Sequence, residues 1–246
     1  KAGGQSVTAY GDSSLVSSIW GMRGSEDLGG GLKAEFALES FIHADTGAAQ
    51  PNMAGGFWGR DSYLALSGGF GRVIAGQYDN TFYGQALSYS AFSGSFAFSP
   101  TTIFLFGDGT ASAGFKAAGI DVLGLDADDA SAVAGYYTGL GFDTSWVNSL
   151  TYESPNFSGF TFSAQYAPKE SSNGDSNSRD SYTLSGNYNA GPLSVGLNYA
   201  VSGYNTSTTA YQSKKDSFQL GASYDFGMVK VMGQYSEAKT KWNSST

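Results

Sequence analysis

The chain contains no cysteine, only 5 prolines and a single histidine, and only 14% of its 246 residues are charged. Without cysteine it cannot form a disulfide scaffold or a thiolate metal site. Its 13 basic residues face 21 acidic ones, for a net charge of −8, and this acid excess opposes binding to a nucleic-acid backbone. No run approaches the roughly 18 apolar residues of a membrane-spanning helix, and residues 1–6 lack the apolar core of a secretion signal.

The sequence does contain many aromatic residues (17 Phe, 16 Tyr and 4 Trp) and 35 glycines. In many segments apolar residues alternate one by one with small or polar ones, which is the period of a β-strand with two different faces. In residues 160–166, for example, Phe160, Phe162 and Tyr166 share one face, while Ser163 and Gln165 share the other. Further alternating segments are residues 20–23, 32–39, 182–188, 193–201, 217–226 and 229–236. Residues 63–67 and 73–78 resemble strands but leave their faces unassigned.

Connections between these segments alternate between short and long. Short ones rich in turn-forming residues are 26–31, 68–71, 154–159, 190–192 and 225–228, and long ones are 43–58, 79 to about 146, 169–180 and 202–216. Short turns at one end and long loops at the other are typical of an outer-membrane barrel. We therefore predict an all-β fold, a transmembrane antiparallel β-barrel whose apolar face contacts membrane lipid and whose polar face meets water. The alternative is a soluble carbohydrate-binding β-sandwich, in which the aromatic rows form a dry core and sugar-binding platforms.

Three stretches resemble the general porins of Gram-negative bacteria. Residues 20–39, WGMRGSEDLGGGLKAEFALE, resemble their second and third strands with the tight turn between them; Arg60 with residues 63–71 and 73–79 resembles the next two strands; and residues 154–160, SPNFSGF, resemble the turn after the sixth. This resemblance implies a homotrimer of 16-stranded barrels in the bacterial outer membrane, each narrowed by an inward-folded third loop.

The match to that family is partial. About ten strands are expected between residues 19 and 237, within one partial barrel domain, 1–246. Residues 1–18 are interpreted mainly as first-loop sequence without the first strand, and residues 243–246 lack the terminal aromatic strand. Ile19 and Gln77 occupy two positions where the family often has arginine, whereas Arg23 is retained.

The long third connection, residues 79–146, carries seven aspartates against Lys116 alone, a net charge of −6. Inside a water-filled pore this charge would favour cations where the channel is narrowest. We therefore assign the pore constriction to Asp108, Asp121, Asp126, Asp128 and Asp129. We assign the pore wall to Arg23, Lys33, Glu35 and Gln77. The alternatives are that individual aspartates cap a short helix at 130–134 or lie on a solvated rim.

No motif indicates catalysis or a cofactor. Asp126, Asp128 and Asp129 lack the glycine and the closing glutamate of a calcium loop, since Ser131 and Tyr137 occupy those places. An outer-membrane hydrolase would need His43, the only histidine, within reach of a serine or an acid. The sequence therefore predicts a channel for the passive diffusion of ions and small hydrophilic solutes, with cation preference and no catalytic, metal or cofactor site.

Overall fold

The computed structural model describes residues 18–44, 46–50, 57–91, 145–169, 180–205 and 211–244. These residues form one antiparallel sheet and one short helix. The strands are β1 (Ile19–Gly29), β2 (Leu32–Ile42), β3 (Ala49–Gln50), β4 (Ser62–Gly68), β5 (Gly71–Asp79), β6 (Ser145–Glu153), β7 (Phe160–Ala167), β8 (Ser181–Ala190), β9 (Leu193–Asn205), β10 (Tyr211–Asp225) and β11 (Lys230–Ser244), and the helix is α1 (Thr81–Ser88).

The sheet is a meander in which each long strand pairs with the next one along the chain. Its order is β1-β2-β4-β5-β6-β7-β8-β9-β10-β11, and β3 adds only a two-residue pairing to β2. Apart from β3 there are ten strands, as the alternation predicts. β1 and β11 are the two edges of the described sheet, so these strands form an open, partial barrel.

Short turns join the strands at one end of the sheet, and glycine makes them possible. Gly191 between β8 and β9 has φ +53°, in the left-handed region that glycine adopts readily. Gly159 has φ +95°, and a Cβ there would lie 2.2 Å from the carbonyl oxygen of Asn189. Turns of this kind hold the ends of adjacent strands in register.

The two faces of the sheet have opposite chemistry, and their burial is the reverse of that in a water-soluble domain. The apolar face is exposed: Leu64 is 70% exposed, and Leu150 and Leu184 are 55% exposed. The polar face is covered instead over β7 to β10, where Thr183 and Gln219 are fully inaccessible. The predicted faces of β2, β7, β8, β9 and β10 are confirmed by this pattern.

The apolar rows do not form a dry core between two sheets in the described part of the chain. The large apolar side chains point away from the covered polar face, which excludes the β-sandwich alternative for these residues. The helix α1 is the only described element that packs across the sheet, and it does so on the polar face. No helix among the described residues is long and apolar enough to cross a membrane.

The sheet also resolves the two strands whose faces the sequence leaves unassigned. In β4, Leu64 and Leu66 are exposed on the apolar face, while Ala65 is buried on the polar face. In β5 the register against β6 shifts between Gly76 and Tyr78, so a bulge interrupts the simple alternation of sides.

Candidate functional site

Helix α1 follows β5 directly and turns back over the polar face. Its N-cap is Asn80, whose side-chain oxygen accepts a hydrogen bond from the backbone N–H of Tyr83 at 3.1 Å. The helix packs against β7, β8, β9 and β10. Phe82, fully buried, packs beside Ala200 of β9. An inward helix therefore occupies part of the space enclosed by the curved sheet.

Polar contacts fix α1 to strands that are distant in sequence. The hydroxyl of Thr81 lies 2.7 Å from that of Thr183 on β8 and also accepts a bond of 3.3 Å from the side-chain amide of Asn198 on β9. At the other end of the helix, the side chain of Gln234 on β11 donates to the carbonyl of Ala86 at 2.8 Å. Side-chain amides and hydroxyls thus bind the helix to the wall.

Glycines on the polar face make room for the residue that ends the helix, Tyr89. A Cβ on Gly221 would lie 2.1 Å from the Tyr89 ring, and a Cβ on Gly196 would lie 2.8 Å from it. The Tyr89 hydroxyl lies 3.0 Å from that of Ser194. Glycine within a strand often marks a close approach of another group. Here the two glycines leave the space that the Tyr89 ring occupies at the end of the helix.

A charged network, which we call the loop-side cluster, lies where β2, β4 and β5 approach the long connections. It comprises Arg23, Glu39, Arg60, Asp61 and Asp79. Arg60 is central: it pairs with Glu39, with Asp61 at 3.1 Å and with Asp79 at 3.0 Å. Arg23 on β1 also pairs with Glu39, which lies on β2. Two arginines face three carboxylates, so the cluster has a formal excess of one negative charge.

Asp61, which lies before β4, is the least compensated member of the loop-side cluster. Its Oδ2 accepts a bond from Arg60, but its Oδ1 is buried without a hydrogen-bond partner among the described residues. Burial, and then the nearby carboxylate of Asp79, raise the pKa of Asp61 to about 7. Because an acid with such a pKa changes charge near neutral pH, the charge of the cluster depends on pH.

A second network, which we call the turn-side cluster, lies nearer the short turns and centres on Arg72 of β5. Its guanidinium donates to Glu35 at 2.9 Å, to Glu153 at 3.2 Å and to the Tyr63 hydroxyl at 2.9 Å. It also lies 5.7 Å from the ring centroid of Tyr78, whose hydroxyl donates to Glu153 at 2.8 Å. Both carboxylates in this cluster therefore accept hydrogen bonds from the Arg72 guanidinium on the polar face.

Comparison with known proteins explains a sheet of this kind. The sequence model of the Gram-negative porin family matches residues 1–245. The chain belongs to that family. It is an outer-membrane β-barrel protein of the Gram-negative type, and the family consists of channels rather than enzymes.

The porin is similar to curated relatives that are longer than this chain. It is 34% identical to outer membrane porin protein 32 of Delftia acidovorans, over 98% of this chain and 60% of that protein. It is 28% identical to an outer membrane porin of Bordetella pertussis, over 92% of this chain and 53% of that protein. The chain therefore spans about half to three fifths of these relatives.

A solved structure also resembles the porin closely. The anion-selective porin from Comamonas acidovorans superposes with a TM-score of 0.67 at 30% identity, covering 95% of this chain and 61% of that one. An OmpF structure from Salmonella typhi has a TM-score of 0.57 at 18% identity, which supports the fold alone.

The four predicted wall residues of the porin lie in different places on the sheet. Arg23 belongs to the loop-side cluster and Glu35 to the turn-side cluster. Lys33 is exposed on the same face as Glu35, near the short turn. Gln77 lies in the β5 bulge, and its side-chain amide donates to the carbonyl of Gly59 at 2.6 Å. The five predicted constriction residues lie outside the described residues: Asp108, Asp121, Asp126, Asp128 and Asp129.

Neither Arg60 nor Arg72, the central cations of the two clusters, was assigned to the site from the sequence, although Arg60 opens one of the porin-like stretches. Arg60 precedes β4 and Arg72 follows the Gly71 turn, so neither falls within a cleanly alternating segment. The available signal was compositional, because the porin has only 13 basic residues and an arginine near a strand on a polar face requires a partner. The helix was missed too, since only Asn80 marks its start.

Proposed function

We propose that this porin forms a water-filled channel through the outer membrane for the passive diffusion of ions and small hydrophilic solutes. The observation that carries the proposal is the inverted burial: large apolar side chains are exposed on one face, and polar side chains with an inward helix lie on the other. An exposed apolar face of this extent suits lipid. A polar inner face suits water and its solutes.

The proposed channel prefers cations. The loop-side cluster carries three carboxylates against two arginines. Beyond Asp79, which belongs to that cluster, residues 80–146 of the third connection add six aspartates against Lys116, a net charge of −5. A negative potential in a narrow aqueous passage raises the local concentration of cations and lowers that of anions. Because the solved relative from Comamonas acidovorans is an anion-selective porin, the sign of selectivity is the decisive measurement for this chain.

The selectivity is tested in a planar lipid bilayer with a KCl gradient across it. We expect a reversal potential of the sign for K⁺ over Cl⁻, decreasing as added salt shortens the screening length from about 10 Å at 0.1 M to about 3 Å at 1 M. An anion-selective reversal potential would contradict the charge assignment, whereas a failure to form any channel would contradict the function itself.

A combined variant assigns the constriction. Changing the five aspartates to asparagine conserves size and removes the charge at positions 108, 121, 126, 128 and 129. We expect the K⁺ preference to fall substantially while conductance at high salt changes little, because screening at about 1 M salt already weakens the effect of the charges. The matched control is Asp180→Asn, an exposed aspartate just before β8. An unchanged preference in the combined variant would place the selectivity elsewhere.

We further propose a homotrimer, which rests on the family resemblance. Chemical cross-linking of the detergent-solubilised protein, followed by gel electrophoresis, should give a band at three times the chain mass. Only monomer at all cross-linker concentrations would contradict this assembly.

A further inference from the structure

A polar cavity lies between α1 and the strands β7, β8 and β9, which follow the strands of the charged clusters in the sheet. It has a volume of about 400 Å³, within the range of sites that hold small organic ligands. Its lining consists of serine, threonine, asparagine, glutamine and tyrosine side chains with one glycine. None of these described lining residues carries a charge.

Gln85 of α1 provides a second, independent observation. The residue is 5% exposed, yet neither its Nε2 nor its Oε1 has a hydrogen-bond partner among the described residues. Its carboxamide carbon lies 2.9 Å from where a Cβ on Gly196 would stand, so it is held against β9 at the cavity. A buried carboxamide with an unused donor and an unused acceptor is costly unless another group satisfies both.

The remaining lining groups offer the same dual chemistry. Hydroxyls of Thr161 and Ser194 and carboxamides of Asn187 and Asn189 can each donate and accept. A sugar presents hydroxyls that do the same around its ring. An ionised solute, by contrast, would find no opposite charge in this lining and would lose hydration without compensation.

We propose that this cavity is a weak binding site for a neutral, polyhydroxylated solute of the size of a mono- or disaccharide. The proposal rests on the proposed channel, because the cavity lies on its inner face. Gln85 binds one solute hydroxyl as donor and another as acceptor, and the seryl, threonyl and asparaginyl groups of β7 to β9 bind others. The uncharged half of the wall thus interacts with neutral solutes, while the charged half acts on ions.

The test uses maltose as the probe and the current through the reconstituted porin as the readout. We expect maltose to reduce the ion current saturably, with half of the effect in the millimolar range. A polyethylene glycol of similar size, whose ether oxygens accept but do not donate, should reduce the current without saturation. Identical effects of the two solutes would overturn the proposal and leave a cavity that holds only water.

Three variants locate the effect. Gln85→Met removes the donor and the acceptor at similar length, and we expect about thirtyfold weaker maltose binding, the equivalent of two net hydrogen bonds. Thr161→Val should weaken binding as well. Its matched control is Thr151→Val on β6, a polar-face residue that does not line the cavity, and this change should leave maltose binding unaltered.

The variant Gly84→Leu should block the cavity in a protein that still folds. Gly84 lines the cavity and open space surrounds the position of an added Cβ, so a larger side chain fits there and a helical glycine is removed, which favours the helix. We expect this variant to abolish the maltose effect while preserving thermal stability. Retained maltose binding in both Gly84→Leu and Gln85→Met would overturn the proposal.

A failure of the proposed function is distinguishable from a failure of this inference. If the protein conducts no ions, maltose binding to the detergent-solubilised chain is still measured by titration calorimetry. Channel activity without a saturable maltose effect overturns the sugar site alone.

Discussion

The polar face of the sheet is divided into a region with charged side chains and a region with neutral ones. From β1 to β6 it carries the two ion-pair clusters around Arg60 and Arg72. From β7 to β9, beneath α1, the residues around the cavity are hydroxyls and carboxamides. One region therefore holds a set of charged side chains in ion pairs. The other binds the helix α1 through neutral hydrogen bonds and through glycines that contact Tyr89. The ion-pair clusters and the contacts of α1 therefore lie on separate strands.

Removing the central cation should have the largest effect on this division. Arg60→Gln leaves Glu39, Asp61 and Asp79 without their shared partner, and its side chain is only 19% exposed. We expect a loss of about 3 kcal/mol in unfolding free energy and a stronger preference for K⁺, measured by denaturant unfolding and by reversal potential. Arg60→Lys keeps the charge and should retain the wild-type selectivity. A weaker cation preference in Arg60→Gln would contradict the proposed role of these carboxylates.

The second largest effect is expected in the neutral region, when a side chain is added at a glycine that contacts Tyr89. Gly221→Ala places a methyl group 2.1 Å from the present position of the Tyr89 ring, so α1 must shift. We expect a cost of about 1–3 kcal/mol and altered single-channel conductance with unchanged sign of selectivity. Gly233→Ala on β11 is the matched control, since nothing lies within 4 Å of its added Cβ. Equal stability and equal conductance of the two variants would show that contact between Tyr89 and Gly221 does not position the helix.

The smallest effect concerns pH. Folding raises the pKa of Asp61 to about 7, so this carboxyl is neutral at pH 5.5 and ionised at pH 8.5. The groups facing it are Glu39, Asp79, Arg23 and Arg60. Rising pH therefore adds one negative charge to the loop-side cluster, and cation preference should increase with a midpoint near pH 7. Asp61→Asn should flatten this part of the profile, and a midpoint that persists in the variant would assign it to another group.

Much of the fold could be predicted from the sequence because lipid and water impose a period of two on each strand. The exposed row with Leu184 and Leu197 and the buried row with Thr183 and Asn198 follow that rule directly. It fails in β4 and β5, where Tyr63 and Tyr78 lie on the polar face because their hydroxyls contact Arg72. An aromatic ring alone does not reveal which solvent it faces.

The site was less predictable, since its geometry depends on pairings between distant residues. Glu35 is an obvious polar-face residue, but its partner Arg72 comes from a strand end 37 positions later. Gly196 and Gly221 look like ordinary small residues until Tyr89 is placed above them. The constriction aspartates remain a prediction that the described residues do not test.

The attachment of α1 also has a consequence for how the protein assembles. Its anchors on Thr183 and Gln234 lie 102 and 148 positions away along the chain from Thr81 and Ala86. Contacts of such long sequence separation form late, because the intervening chain must be ordered first. We therefore expect α1 to dock on the polar face only after β8 and β11 have formed.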